Sequence, residues 1–183
     1  VVTVPQLSSS VGESSAGLRT GDKITVHELF EGLMIKSGND TAIALAYHIS
    51  GGVEPFVALM NERARQLGML GTKFANPHGL DASGHHTTAS DVATMTRYAM
   101  SIPKFREVVG TKTVDIESGG RTVEYENTNL LLFSYSGANG VKTGWTNRAG
   151  YCVVGSAQRD TREFYAVVLG TDDQWVRFTE SKA

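Results

Sequence analysis

Cysteine is nearly absent. Cys152 is the one thiol in 183 residues, so no disulfide can close within the chain. Its place in Tyr151-Cys152-Val153-Val154 reads as a small residue buried in a strand, not as a reactive thiol. Long apolar runs are lacking too, and none could span a bilayer. Neither sign of charge dominates. A net charge of −2 provides no basic field for nucleic acid or for an anionic membrane surface. With 40% hydrophobic and 20% charged residues, the chain suits one domain around a substantial core. No initiator methionine or signal peptide opens it. Val1-Val2-Thr3-Val4-Pro5 resembles the tail of a strand or loop, and Thr179 to Ala183 stops in a helix-like run. Residues 1–183 are therefore read as a single domain truncated at both ends.

What is present organises itself by pattern. Residues 5–23 are rich in Ser and Gly and read as a loop. Thr25-Val26-His27-Glu28 matches a capping box, and Val26, Leu29, Phe30, Leu33 and Met34 follow helical spacing. Ser37-Gly38-Asn39-Asp40 breaks that helix. The run from Thr41 to Ile49 predicts a helix buried on most sides, ended by Gly51-Gly52. Val53, Phe56, Val57, Met60, Ala64 and Leu67 give another amphipathic helix, stopped by Gly68. Residues 72–87 read as an irregular loop. A helix capped by Thr88 and Asp91 follows to about Met100, and Pro103 prevents its continuation. Thr113 to Glu117 and Arg121 to Tyr125 predict a hairpin around Ser118-Gly119-Gly120. Tyr151 to Ala157 and Phe164 to Leu169 predict an antiparallel pair. Helices followed by strands imply an α+β domain with helices packed on an antiparallel sheet.

Two short motifs carry chemistry. In Lys142-Thr143-Gly144-Trp145-Thr146, a lysine at a strand edge can meet a substrate carboxylate. Thr143 can offer a hydroxyl to the same carboxylate. Gly144 lets substrate backbone approach closely, and the Trp145 N–H can point at a developing oxyanion. The plain alternative is a strand start with an exposed lysine and a glycine kink. Ser37-Gly38-Asn39 offers a proton relay at Ser37 and an amide at Asn39 for a substrate amide or a lysine. Its plain alternative is a helix stop and restart, with Asn39 or Asp40 as N-cap. His78, His85 and His86 share a loop with Asp81 but lack a helical ligand spacing. That loop reads as structural, with His78 packed inward and Asp81 bonding turn N–H groups. The chain's one S-x-x-K, Ser101-Ile102-Pro103-Lys104, follows directly on a helix end and falls between the two motifs in chain order. It reads as a coincidence.

S-x-N followed by K-T-G is two thirds of a signature for serine acyl-transfer enzymes, whose third part is an S-x-x-K that carries the nucleophile. The chain resembles the low-molecular-mass penicillin-binding proteins, the serine-type D-alanyl-D-alanine carboxypeptidases. The resemblance rests on Gly32 to Asp40, on Phe74 to Asp81 with Gly84-His85 and Thr87 to Asp91, on Asn127 to Leu131, and on Gly140 to Tyr151. It implies a β-lactamase/transpeptidase-like fold, incomplete at the N-terminus. It also implies removal of the terminal D-Ala from peptidoglycan stem peptides through an acyl-enzyme, with penicillin acting as a substrate mimic.

In that scheme Ser37 and Asn39 relay protons and hold substrate. Lys142 and Thr143 address the terminal carboxylate, and the Trp145 N–H supplies half of an oxyanion hole. Neither metal nor organic cofactor is implied. The site is extracytoplasmic, in the periplasm or at the cell surface, and membrane contact comes only through a segment not present here. The nucleophile serine and its lysine lie outside this chain, so the polypeptide alone is expected to be inactive. Two other readings stand beside this one. The first is a β-lactamase-like hydrolase, disfavoured by S-G-N in place of S-D-N and by the lack of an E-x-x-x-N. The second is a non-catalytic module that binds peptidoglycan peptides or a partner protein.

Overall fold

The structure is a computed structural model that describes residues 1–182. It is an α+β fold whose three sheets are all antiparallel. Strand β1 (Val2–Thr3) pairs with β2 (Lys23–Ile24) across a loop that holds a short 3-10 turn at Gln6–Ser10. Helix α1 (Val26–Glu31) starts at the expected capping box: the Thr25 hydroxyl accepts from the Glu28 N–H, and the Glu28 carboxylate accepts from the Thr25 N–H. It widens into a π-helical turn at Gly32–Lys36. Helix α2 (Asn39–Ser50) is buried through Ala46 and then emerges at Tyr47, His48 and Ile49. Helix α3 (Val53–Gln66) ends just before Gly68, whose φ of +76° suits a residue without Cβ. Among the described residues no single helix is long and apolar enough to cross a membrane.

Helix α4 (Ala89–Met100) opens on the Thr88 cap, whose hydroxyl accepts from the Asp91 N–H. Pro103 does stop it, but the same proline opens a new helix, α5 (Pro103–Gly110). Proline fits a first helical turn, where its lost N–H would have had no partner. Strands β3 (Thr113–Ser118) and β4 (Arg121–Glu126) form the expected hairpin. After the one-turn α6 (Leu131–Ser134) come β5 (Ala138–Thr146), β6 (Gly150–Arg159), β7 (Arg162–Thr171) and α7 (Val176–Glu180). The principal sheet runs β5-β6-β7, so K-T-G lies on an edge strand.

Alternation along β6 divides the core. Val154 faces a cluster with Met100, Val109, Val141 and Phe105, which beds α4 and α5 on one side of the sheet. Its neighbour Val153 faces Leu131, Phe178 and Val168, which beds α6 and α7 on the other. A third cluster, including Leu18, Ile24, Leu29, Leu45 and Ile116, joins α1 and α2 to the β3–β4 hairpin. A polar knot ties α5 to the sheet just before the K-T-G strand segment. Arg106 makes a two-pronged ion pair with Glu163, which also accepts from Asn139 at 3.0 Å. Asn139 in turn accepts from the Ser156 hydroxyl.

Candidate active site

One cleft of about 340 Å³ has three walls, built from segments distant in sequence. The first wall is Glu13 and Ser14 with Ser37 and Asn39. The second is Lys142 to Thr146 with Ala149 and Cys152. The third is His78, Gly79 and Leu80. Every residue singled out from the two motifs lines it.

The first wall is built around a forced turn. Ser37 caps the π-helical segment at φ +65°, ψ +37°, a left-handed conformation that a residue with a Cβ rarely adopts. The N-cap of α2 is Gly38, not Asn39 or Asp40. A Cβ at Gly38 would lie 2.7 Å from Asp40 Oδ1 and 3.0 Å from Thr41 Oγ1, so the middle residue of S-x-N has no room to be anything larger. Asn39 lines the cleft and also anchors its first wall. Its Nδ2 donates to the Gly12 carbonyl at 3.0 Å, and its backbone N–H donates to the Ser14 carbonyl at 2.9 Å. Asp40 completes the anchorage. Its carboxylate accepts from the Ala16 N–H at 2.9 Å, the Leu18 N–H at 3.0 Å and the Ser15 hydroxyl at 2.6 Å. The Ser- and Gly-rich loop is thereby fixed against α2.

The second wall is an edge strand paired with β6 from Lys142 to Thr146. The Lys142 ammonium donates to the Thr143 carbonyl at 2.9 Å. Burial, and secondarily repulsion from the Arg177 guanidinium, lower its pKa from the usual 10.5 to about 8. Arg177 on α7 donates to the Gly144 and Cys152 carbonyls at 3.1 and 3.3 Å, so a second cation braces this wall. The Thr143 hydroxyl shares a 2.7 Å hydrogen bond with the Thr128 hydroxyl. Gly144 differs from Gly38: a Cβ there would meet nothing within 4 Å. Trp145 is 49% exposed and stacks on Tyr151 at a centroid distance of 5.7 Å.

The third wall is a loop drawn onto the strand. Asn76 organises its turn, accepting from the Gly79 N–H and donating to the Leu80 carbonyl. Asp81 does not bond turn N–H groups as expected. It accepts the Thr146 hydroxyl at 2.8 Å, and the Thr146 oxygen accepts the Ala149 N–H, so Thr146 ties loop to strand. His78 and His85 have lowered pKa values, each mainly through burial. His85 accepts from the Ala75 N–H and packs edge-on against Phe74, giving it a structural place in the loop.

Cys152 is half-buried and lines the cleft rather than sitting in the core, because its cross-strand neighbour is the open Gly144. Ser101 and Lys104 stay out of the cleft: Ser101 donates to the Tyr98 carbonyl at the end of α4, and Lys104 pairs with Glu107. Several site residues escaped the sequence reading. Arg177 and Glu13 carry no local motif. Thr128 and Asp40 stood in noted segments, but nothing in one dimension shows what they touch.

The D-alanyl-D-alanine carboxypeptidase family model matches residues 1–173. The chain is 38% identical over 170 residues to the D-alanyl-D-alanine carboxypeptidase DacF of Bacillus subtilis, covering 92% of this chain and 44% of that protein. It is 36% identical to DacD of Escherichia coli, covering 94% and 44% respectively. It thus spans under half the length of these relatives. Among solved structures, the Streptomyces K15 DD-transpeptidase superposes with a TM-score of 0.93 at 34% identity, covering 99% of this chain and 75% of that one. The DacD carboxypeptidase of Francisella tularensis gives 0.93 at 31% identity, covering 98% and 55%. The sequence match and the shared fold agree, and the chain belongs to the D-alanyl-D-alanine carboxypeptidase family of S11 peptidases.

Proposed function

We propose that this chain supplies most of the substrate cleft of a serine-type D-alanyl-D-alanine carboxypeptidase acting outside the cytoplasmic membrane on peptidoglycan stem peptides. The observation that carries the reading is the convergence of Ser37 and Lys142 on one cleft, from segments about a hundred residues apart in sequence. With its pKa lowered to about 8, Lys142 is still a cation at neutral pH and offers that charge to the terminal carboxylate of a peptide. The open space beside Gly144 admits the scissile amide against the strand.

The attacking serine and its lysine base belong to an S-x-x-K outside this chain. The serine oxygen adds to the carbonyl carbon between the last two D-alanines as its proton passes to the base. The Trp145 N–H steadies the oxyanion. As the carbon–nitrogen bond breaks, Ser37 relays a proton to the leaving amine of D-Ala. Water then attacks the ester, releasing the shortened peptide and restoring the serine. Asn39 contributes by holding the loop that shapes the first wall.

The test is release of D-alanine from a D-Ala-D-Ala peptide by the natural gene product that carries this chain. Steady release is expected, and its absence overturns the reading. Labelled penicillin is expected to acylate that gene product through the S-x-x-K serine and to leave the present 183-residue polypeptide unlabelled. Stoichiometric labelling of this polypeptide would refute the assignment of the nucleophile to another segment. Preferential turnover of penicillin over the peptide would instead favour a β-lactamase-like hydrolase.

A further inference from the structure

Glu13 occupies an unusual position in the first wall. Its φ is +67°, the left-handed region that a side chain with a Cβ avoids, although the preceding residue is a glycine that could take such a conformation freely. The strain is held from both sides. The carbonyls of Gly12 and Ser14, which flank Glu13, accept from the side chain and the backbone N–H of the same residue, Asn39. The Ser14 hydroxyl also donates to the Lys36 carbonyl at 3.1 Å. Clamped on each side, residue 13 is thrust outward, exposed and lining the cleft. No cation lies within ion-pairing distance of its carboxylate among the described residues.

Charge in the cleft is therefore segregated. The strand wall carries Lys142, braced by Arg177, while the loop wall carries an unpaired carboxylate. A ligand that satisfies both walls has a free carboxylate at one end and a cation toward the other. A neutral side chain upstream of the scissile bond would forgo an ion pair with Glu13.

We propose that Glu13 is a specificity-determining residue, selecting D-Ala-D-Ala peptides that bear a free ammonium upstream of the scissile bond; the proposal rests on the carboxypeptidase reading above. The left-handed backbone at residue 13, clamped through Asn39, sets this residue among those lining the cleft. A partly solvated ion pair of this kind favours the charged ligand by about three- to fivefold, and salt diminishes the preference.

The experiment uses the natural gene product and two peptides, acetyl-lysyl-D-Ala-D-Ala with its side-chain amine free and the same peptide with that amine acetylated. The expected ratio of kcat/KM, free over acetylated, is about three to five, expressed in KM. In Glu13→Gln the ratio falls to about one, and Glu13→Asp restores part of it. Glu13→Gly also brings the ratio to one while keeping or raising Tm, since glycine adopts the left-handed backbone without strain. A wild-type ratio of one, or a ratio unchanged in Glu13→Gln, overturns the role of Glu13 and leaves the carboxypeptidase reading intact. Release of D-alanine from neither peptide overturns that reading and the Glu13 assignment with it.

Discussion

The two motif-bearing walls of the cleft each contain a glycine, and the two glycines do opposite work. Gly38 is small because the protein itself fills the space beside it: Asp40, Thr41 and Ala16 stand where a side chain would go. Gly144 is small although nothing of the protein is near. One glycine serves the fold; the other leaves open space beside the strand. The polar groups divide in the same way. On the first wall Asn39 and Asp40 direct their hydrogen bonds inward to the loop, and Ser37 and Glu13 hold strained backbone. On the second wall the backbone is a regular ladder, and a cation of lowered pKa stands in the cleft. On the function proposed above, motif residues of similar appearance fall into two classes, anchors and contacts, which only the three-dimensional surroundings separate.

The anchoring role of the first wall is broken most severely at Asp40. Asp40→Ala leaves the Ala16 and Leu18 N–H groups and the Ser15 hydroxyl without their acceptor, and a loss of about 3 kcal/mol in urea unfolding is expected. Gly38→Ala comes next, at about 2 kcal/mol, because its methyl group meets Asp40 Oδ1 and the Ala16 side chain in a packed setting. Smaller again is the knot behind the second wall. The Arg106 guanidinium, more than any other partner, holds the Glu163 carboxyl down at about 2. Its stabilisation is present above the ordinary glutamate pKa of 4.5 and is lost as the pH falls from there toward 2. Because Arg106 is 39% exposed, solvent screening reduces the contribution, and Glu163→Gln should cost about 1–2 kcal/mol at pH 7 with little cost at pH 2.

The contact role of the second wall is sharpened by pH. Lys142 is charged below about pH 8 and neutral above it, so affinity for a peptide carboxylate is expected to weaken about tenfold from pH 7 to pH 9.5. Binding measured across that range should show the bend, and a flat profile would remove Lys142 from carboxylate recognition. The smallest stability effect is expected at Gly144. Gly144→Ala should change unfolding by under about 0.5 kcal/mol while weakening peptide binding about threefold, the reverse of what Gly38→Ala does to the fold.

Much of the architecture was legible because local signals were strong. The capping box at Thr25, the N-cap at Thr88, the Gly51 and Gly68 stops and the Ser118-Gly119-Gly120 hairpin all act over a few residues, and each is found where sequence placed it. Helix α5 escaped because one proline carries two meanings, a stop for the helix before and a start for the helix after. Cys152 was read as core because strand periodicity says nothing about which strand lies at the edge or which neighbour lacks a side chain. The motif residues of the cleft were legible as residues, but their partners were not. Asp81 meets Thr146 across 65 positions and Thr128 meets Thr143 across 15, and no local pattern encodes such pairings. Asn39 shows the same limit: its residue type suggested an amide hydrogen bond, but not that the Gly12 carbonyl, 27 positions away, receives one.

The Asp81–Thr146 bond joins the loop of the third wall to the end of the strand. A single hydroxyl proton therefore links two parts of the chain 65 positions apart. Exchanging Thr146 for valine, nearly the same in shape, removes both the donor to Asp81 and the acceptor of the Ala149 N–H, so loop and strand end are released together.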